Sequence, residues 1–154
     1  HLLVVGGAGG LYTDGTHTRH FHETPGFPAD TRAVSAAQAR SYEALTHTDL
    51  AAYTYLAPNG LYLPDAPRTG KYVLAGEEIV PNPGAVPPLH FVSYADLAVA
   101  MIALAEAGRR GRRRPSVYHV EAADAEATDR TKPSGEHPGA PGGAETTGGE
   151  VSHR

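Results

Sequence analysis

Near the start of the chain, Leu2-Leu3-Val4-Val5 runs straight into Gly6-Gly7-Ala8-Gly9-Gly10. This pairing constrains the fold more than any other feature. A half-exposed strand alternates apolar and polar residues, whereas four consecutive apolar residues fit a strand covered on both faces, as in a parallel sheet. The glycines that close it carry no Cβ, so the backbone there can approach another surface closely. Two uses remain open for them: shaping the strand-to-loop turn, or touching a ligand.

The glycine run does not match the phosphate-binding fingerprints. A Gly-x-Gly-x-x-Gly pattern needs glycine at position 12, which is Tyr12, and no Gly-Lys-Ser/Thr follows. Thr13-Asp14-Gly15-Thr16 favours a turn rather than a helix start, so no helix N-terminus is placed there to receive a pyrophosphate. A long polar loop over residues 11 to 28 follows.

Helical spacing returns at Ala29–Thr46, with Asp30 or Thr31 as N-cap and Val34, Ala37, Ala44 and Leu45 as the inward stripe. Tyr53-Thr54-Tyr55-Leu56-Ala57 reads as a second strand, stopped by Pro58. Strand, helix and strand predict a right-handed parallel crossover. Residues 58 to 90 are proline-rich loop, with short strands at Lys71-Tyr72-Val73-Leu74 and Glu78-Ile79-Val80. Phe91-Val92 is extended. Ser93 then caps a helix, with Asp96 as the reciprocal acid of a capping box and Gly108 as the stop. Leu97, Ala98, Met101, Ile102, Leu104 and Ala105 predict a helix packed on most faces. Ser116 to Val120 is a last strand.

Composition sets the outer limits. Residues 121 to 154 contain one large aliphatic residue, Val151, with six glycines and three prolines, and bury too little to offset ordering entropy. They are expected to form a disordered, Gly/Pro-rich acidic tail beside a folded unit at 1–120. The folded part is formally neutral, so the net charge of −4 lies in the tail and no nucleic-acid partner is expected. The basic run Arg109, Arg110, Arg112, Arg113 and Arg114 reads as a solvated helix end and loop. With no cysteine, disulfides and thiolate metal sites are excluded. No apolar run reaches membrane-spanning length and no signal peptide is recognisable, so a cytoplasmic protein is expected. His17, His20, His22 and Glu23 could ligate zinc by residue type, but their loose spacing reads better as polar loop, and no metal is expected. Tyr42 has Thr46 four residues on, so no lysine completes a Tyr-x-x-x-Lys proton-transfer pair.

Three segments in order resemble one family. Val4-Val5-Gly6-Gly7-Ala8-Gly9-Gly10-Leu11, Tyr53-Thr54-Tyr55-Leu56-Ala57-Pro58, and Arg68-Thr69-Gly70-Lys71-Tyr72 followed by Val92-Ser93-Tyr94-Ala95-Asp96-Leu97-Ala98 are similar to the atypical short-chain dehydrogenase/reductases, nearest the NmrA-like and NADH-flavin-reductase-like group. The resemblance implies an α/β fold: the C-terminal portion of a Rossmann-like parallel sheet with flanking helices, its N-terminal half missing. It implies NADP or NAD as cofactor and a flavin or quinone as hydride acceptor. It places Gly7, Ala8, Gly9, Gly10, Pro58 and Asn59 at the nicotinamide end, with Tyr12 and Arg68 on the substrate side. Gly10 stands where the family often has serine. A non-catalytic dinucleotide sensor, or an inactive fragment, is the alternative.

Overall fold

The computed structural model describes residues 1 to 50, 52 to 108 and 111 to 120. The expected tail, Arg109 and Arg110 lie outside the described residues. The Leu-Leu-Val-Val run forms β1 (Leu2–Val5), the helical segment forms α1 (Ala29–Thr46), and the aromatic run forms β2 (Tyr53–Pro58). The two strands pair in parallel, Leu2 opposite Tyr53 and Val5 opposite Leu56, as the crossover requires. All six residues of β2 are buried, which explains why it carries no polar alternation.

Beyond β2 the chain departs from the sequence expectation in instructive ways. Gly60 to Leu63, expected as loop, forms β3 (Gly60–Leu63) and pairs in parallel with β5 (His90–Ser93). Gly60 makes this possible: its φ is +122°, and a Cβ there would strike the His90 carbonyl. β4 (Tyr72–Ala75) falls where expected and runs antiparallel to β7 (Ser116–His119). Glu78-Ile79-Val80 is not a strand. Ile79 N–H donates to the Tyr12 carbonyl and Val80 N–H to Asn59 Oδ1, so a side chain replaces a ladder partner.

The arginine run also differs from the reading of a solvated loop. β6 (Arg112–Arg113) pairs with Tyr53 and Thr54 of β2, and β7 pairs further along the same edge at Ala57 and Pro58. Arg114-Pro115 breaks the edge between them. Pro115 cannot donate to the ladder, though its carbonyl still accepts from Ala57 N–H. At this break the Arg114 side chain turns inward and is buried. The resulting sheet has the order β1-β2-β7-β4. β1 has one strand neighbour among the described residues.

α2 (Tyr94–Glu106) packs one face, Leu97, Ala100 and Leu104, into a core with Leu56, Val92 and Val117. Its other side, including Ala98 and the 58 % exposed Ile102, meets no sheet, so burial on most faces is not observed. Ser93 caps α2 by accepting from Asp96 N–H. The expected reciprocal bond from Asp96 is absent, because its carboxylate reaches instead to the 69–70 turn. α1 likewise begins after Pro28 with no side-chain cap, correcting Asp30 or Thr31. Its expected stripe of Val34, Ala37 and Ala44 faces outward. Ser35, Gln38 and Ala39 face inward, where they pack against Gly9, Gly7 and Gly10 of the glycine turn.

Candidate functional site

The glycine turn after β1 forms a short 3-10 helix, Ala8–Gly10, at the carboxyl end of the strand. β2 ends beside it at Pro58. A cleft of about 350 Å³ opens between them, lined by Gly6, Gly7, Ala8, Gly9, Pro58, Gly60, Leu61, Tyr62 and Leu89, with Phe21, Phe27 and the start of α1 closing the far side. This is the place where open α/β sheets bind ligands, beyond the carboxyl ends of parallel strands. The glycines are held there by contacts that leave no room for side chains. A Cβ on Gly6 would meet the Tyr55 ring, one on Gly7 the Gln38 carboxamide, and one on Gly9 Ser35.

The structure brings Gly7, Ala8, Gly9 and Pro58 together on this cleft. Gly10 is buried and turned away from it: its carbonyl lies 2.8 Å from His20 Nδ1 and accepts from Arg114 at 2.9 Å. Asn59 lies behind the cleft as a strut. Its Nδ2 donates to the Glu78 carbonyl and the Ser116 hydroxyl, both at 2.9 Å, while Oδ1 accepts from Val80 N–H. Tyr12 is on the opposite side of the turn, in a second cleft of about 410 Å³ with His20, His22 and Tyr42. Arg68 is exposed and lines neither cleft.

The histidines act on the turn itself. His22 Nδ1 lies 2.8 Å from the Gly9 carbonyl, beside the His20–Gly10 contact. The Tyr12 ring stacks between His17 and His20 at 4.3 and 4.7 Å. Among the described residues no three of His, Asp and Glu converge on a common metal position.

Arg114, which the sequence reading placed in solvent, organises the back of the turn. It is 3 % exposed and lies 2.8 Å from Glu77 through Nη2. Its guanidinium sits 4.6 Å from the Tyr12 ring centroid and 4.2 Å from that of Tyr42. Arg-Pro inside an otherwise strand-like segment was the available signal, since proline interrupts a ladder and re-aims its neighbour. Phe21 and Phe27, packed edge to face at 5.2 Å, were also missed because they sit in a loop without periodicity.

Neither Tyr42 nor Tyr62 is poised as a base. Burial, then the nearby Glu77, push the Tyr42 phenol up to about 12, against the opposing effect of Arg114. Burial also raises Tyr62, whose ring stacks on Tyr94 at 3.8 Å. Both phenols stay protonated at neutral pH, and no lysine lines either cleft.

No family model matches the chain. It is 34 % identical over 101 residues to the uncharacterized protein YwnB of Bacillus subtilis, a match covering 66 % of this chain and 46 % of YwnB. Among solved structures it is similar to a proposed NADH-flavin reductase from Streptococcus pneumoniae, with a TM-score of 0.68 and 34 % identity over 77 % of this chain and 55 % of that one. A proposed epimerase from Bacteroides thetaiotaomicron has a TM-score of 0.65 at 21 % identity, over 77 % of this chain and 53 % of the other, and shows likeness of fold alone. The chain thus spans about half the length of the relatives it matches, and within that span it has their α/β, Rossmann-like architecture.

Proposed function

We propose that the cleft over Gly7, Ala8, Gly9 and Pro58 holds the nicotinamide end of NADP or NAD, and that the chain is the acceptor-side portion of an NAD(P)H-dependent oxidoreductase acting on a flavin or quinone. One observation carries this reading: a glycine-walled cleft at the carboxyl ends of two adjacent parallel strands. Its size suits the ring end of a dinucleotide rather than the whole molecule. The similarity to a proposed NADH-flavin reductase supports the cofactor class and the acceptor class.

When bound, reduced nicotinamide supplies a hydride, so the demands on the protein are positional. The bare backbone of Gly7 and Ala8 lets a flat ring lie close. Gln38, Ser35 and Thr31 line the same cleft and offer uncharged polar groups to a carboxamide. The apolar walls, Leu61, Leu89 and Phe27, exclude water from the ring face.

The sequence holds no Gly-x-x-Gly-x-x-Gly turn for a pyrophosphate, so the 154-residue chain is expected to bind NADPH more weakly than the micromolar range. Calorimetry returning a micromolar Kd contradicts that. At millimolar ligand, saturation-transfer NMR is expected to mark the nicotinamide ring protons. Gly7→Ala should cut that signal by about tenfold in apparent affinity, since the Gln38 carboxamide, which lines the cleft, must shift, while stability falls by less than about 1 kcal/mol. Unchanged ring contacts in the variant place the nicotinamide elsewhere.

A non-catalytic dinucleotide sensor is the second reading. The absence of a lysine beside Tyr42, and the elevation of that phenol, favour it. Cofactor binding by the full-length protein without turnover of any flavin or quinone distinguishes it.

A further inference from the structure

Next to the nicotinamide cleft lies a second, larger hollow of about 490 Å³. The two share Phe21, Pro28, Leu61 and Leu89 in their linings, so the hollow adjoins the cleft. Ile79, Pro81, Pro87 and Pro88 form its far side. The bridge between Pro81 and Leu89 and the bond from Asn82 N–H to the Pro88 carbonyl fold this rim back on itself. Proline fixes φ, so the rim loses little conformational freedom when something enters.

The lining has almost nothing to offer a charge. Its one side-chain hydroxyl, on Thr24, already donates to the Phe21 carbonyl at 2.8 Å. No Lys, Arg or His lines it. Arg32, on α1, does not line it, and its guanidinium donates to the carbonyls of His22, Thr24 and Phe27. The start of α1 beside Pro28 already carries Asp30 in its first turn, which offsets the attraction of a helix N-terminus for anions.

Resting on the oxidoreductase reading above, we propose that this apolar hollow is the acceptor subsite and that it selects uncharged planar rings, such as quinones and flavins lacking phosphate, over phosphorylated ones. A phosphate entering it would lose its hydration with no cationic side chain of the lining in return. An apolar ring gains burial against Phe21, Leu61, Ile79 and Leu89 at no such cost.

The test is equilibrium dialysis of the full chain against lumiflavin, menadione and flavin mononucleotide, with NADH dialysed in parallel. Lumiflavin and menadione are expected to bind at least about tenfold more tightly than flavin mononucleotide. Gly26 lines the hollow, and a Cβ there meets nothing within 4 Å, so Gly26→Phe fills the space without disturbing the fold. It should abolish binding of the neutral rings and leave the unfolding midpoint unchanged. Equal binding of the phosphorylated flavin, no binding of any neutral ring, or full retention of binding in Gly26→Phe overturns the assignment. Neutral-ring binding that obeys these expectations while nicotinamide contacts the protein nowhere near Gly7 sinks the oxidoreductase reading alone.

Discussion

Arg114→Ala is expected to lower the stability of the protein by about 3–5 kcal/mol, measured by urea unfolding followed by far-UV circular dichroism. The guanidinium makes an ion pair with Glu77, donates to the Gly10 carbonyl, and lies against the Tyr12 and Tyr42 rings. Removing it leaves the half-buried Glu77 carboxylate without its partner, strips a donor from a buried carbonyl, and opens a void between two aromatic rings. Each effect is destabilising, and they fall on one spot. Lysine is not a conservative replacement, because a single ammonium cannot serve Glu77 and Gly10 in the fixed geometry of the planar fork. Combining Arg114→Met with Glu77→Gln should recover part of the loss, since both charges then leave together. A loss under about 1 kcal/mol for Arg114→Ala shows that the turn stands without this support.

Asp96→Ala is expected to cost about 3 kcal/mol, and its effect should depend on pH. The carboxylate is 1 % exposed and accepts from Thr69 N–H, Thr69 hydroxyl and Gly70 N–H at 2.7–3.1 Å. Burial by itself would raise its pKa. The bonds from Thr69 and Gly70, with the help of Ser93, outweigh burial and hold the group below its ordinary 3.8. A carboxyl depressed on folding stabilises the native state fully above its unfolded value, and the contribution is lost as pH falls through the folded value. The difference between wild type and Asp96→Asn should therefore be constant near neutrality and shrink below about pH 4. Asp14 and Glu78 are also held low by local hydrogen bonds, so the acid limb of the stability profile will be reduced in the variant rather than abolished. A gap that persists unchanged to pH 2 means that the carboxyl has the same pKa folded and unfolded, so that the bonds from Thr69 and Gly70 do not favour its charged form.

Asp96 also illustrates how far the sequence could be read. Ser93-x-x-Asp96 announced the start of α2, and Ser93 does cap it. The acid, however, reaches 27 positions back to the 69–70 turn, a non-local partner that spacing does not encode. The parallel pairing of β1 and β2 was legible from the order strand, helix, strand, but β1 is not covered on both faces as its apolar run predicts, since Leu2 and Val5 are exposed. β3 was hidden because it is four residues long and depends on Gly60 accepting φ of +122° against His90. The outward turn of Val34 and Ala37 was hidden because the glycine turn, and not hydrophobicity, decides which face of α1 can approach. At the candidate site, Gly7, Ala8, Gly9 and Pro58 share a cleft because they end neighbouring strands, which order alone predicts. Phe21, Phe27 and Leu89 reach it from loops far apart in sequence, and nothing local marks them.

That β1 has a single strand neighbour among the described residues has a thermodynamic consequence. The backbone groups along its other edge are a template for pairing, and Leu2 and Val5 are 41 % and 39 % exposed beside it. Whatever pairs there binds the folded chain and not the unfolded one, so its binding free energy adds to folding. If copies of the chain pair edge to edge, or a polypeptide offers a complementary strand, its melting temperature becomes a function of that partner's concentration.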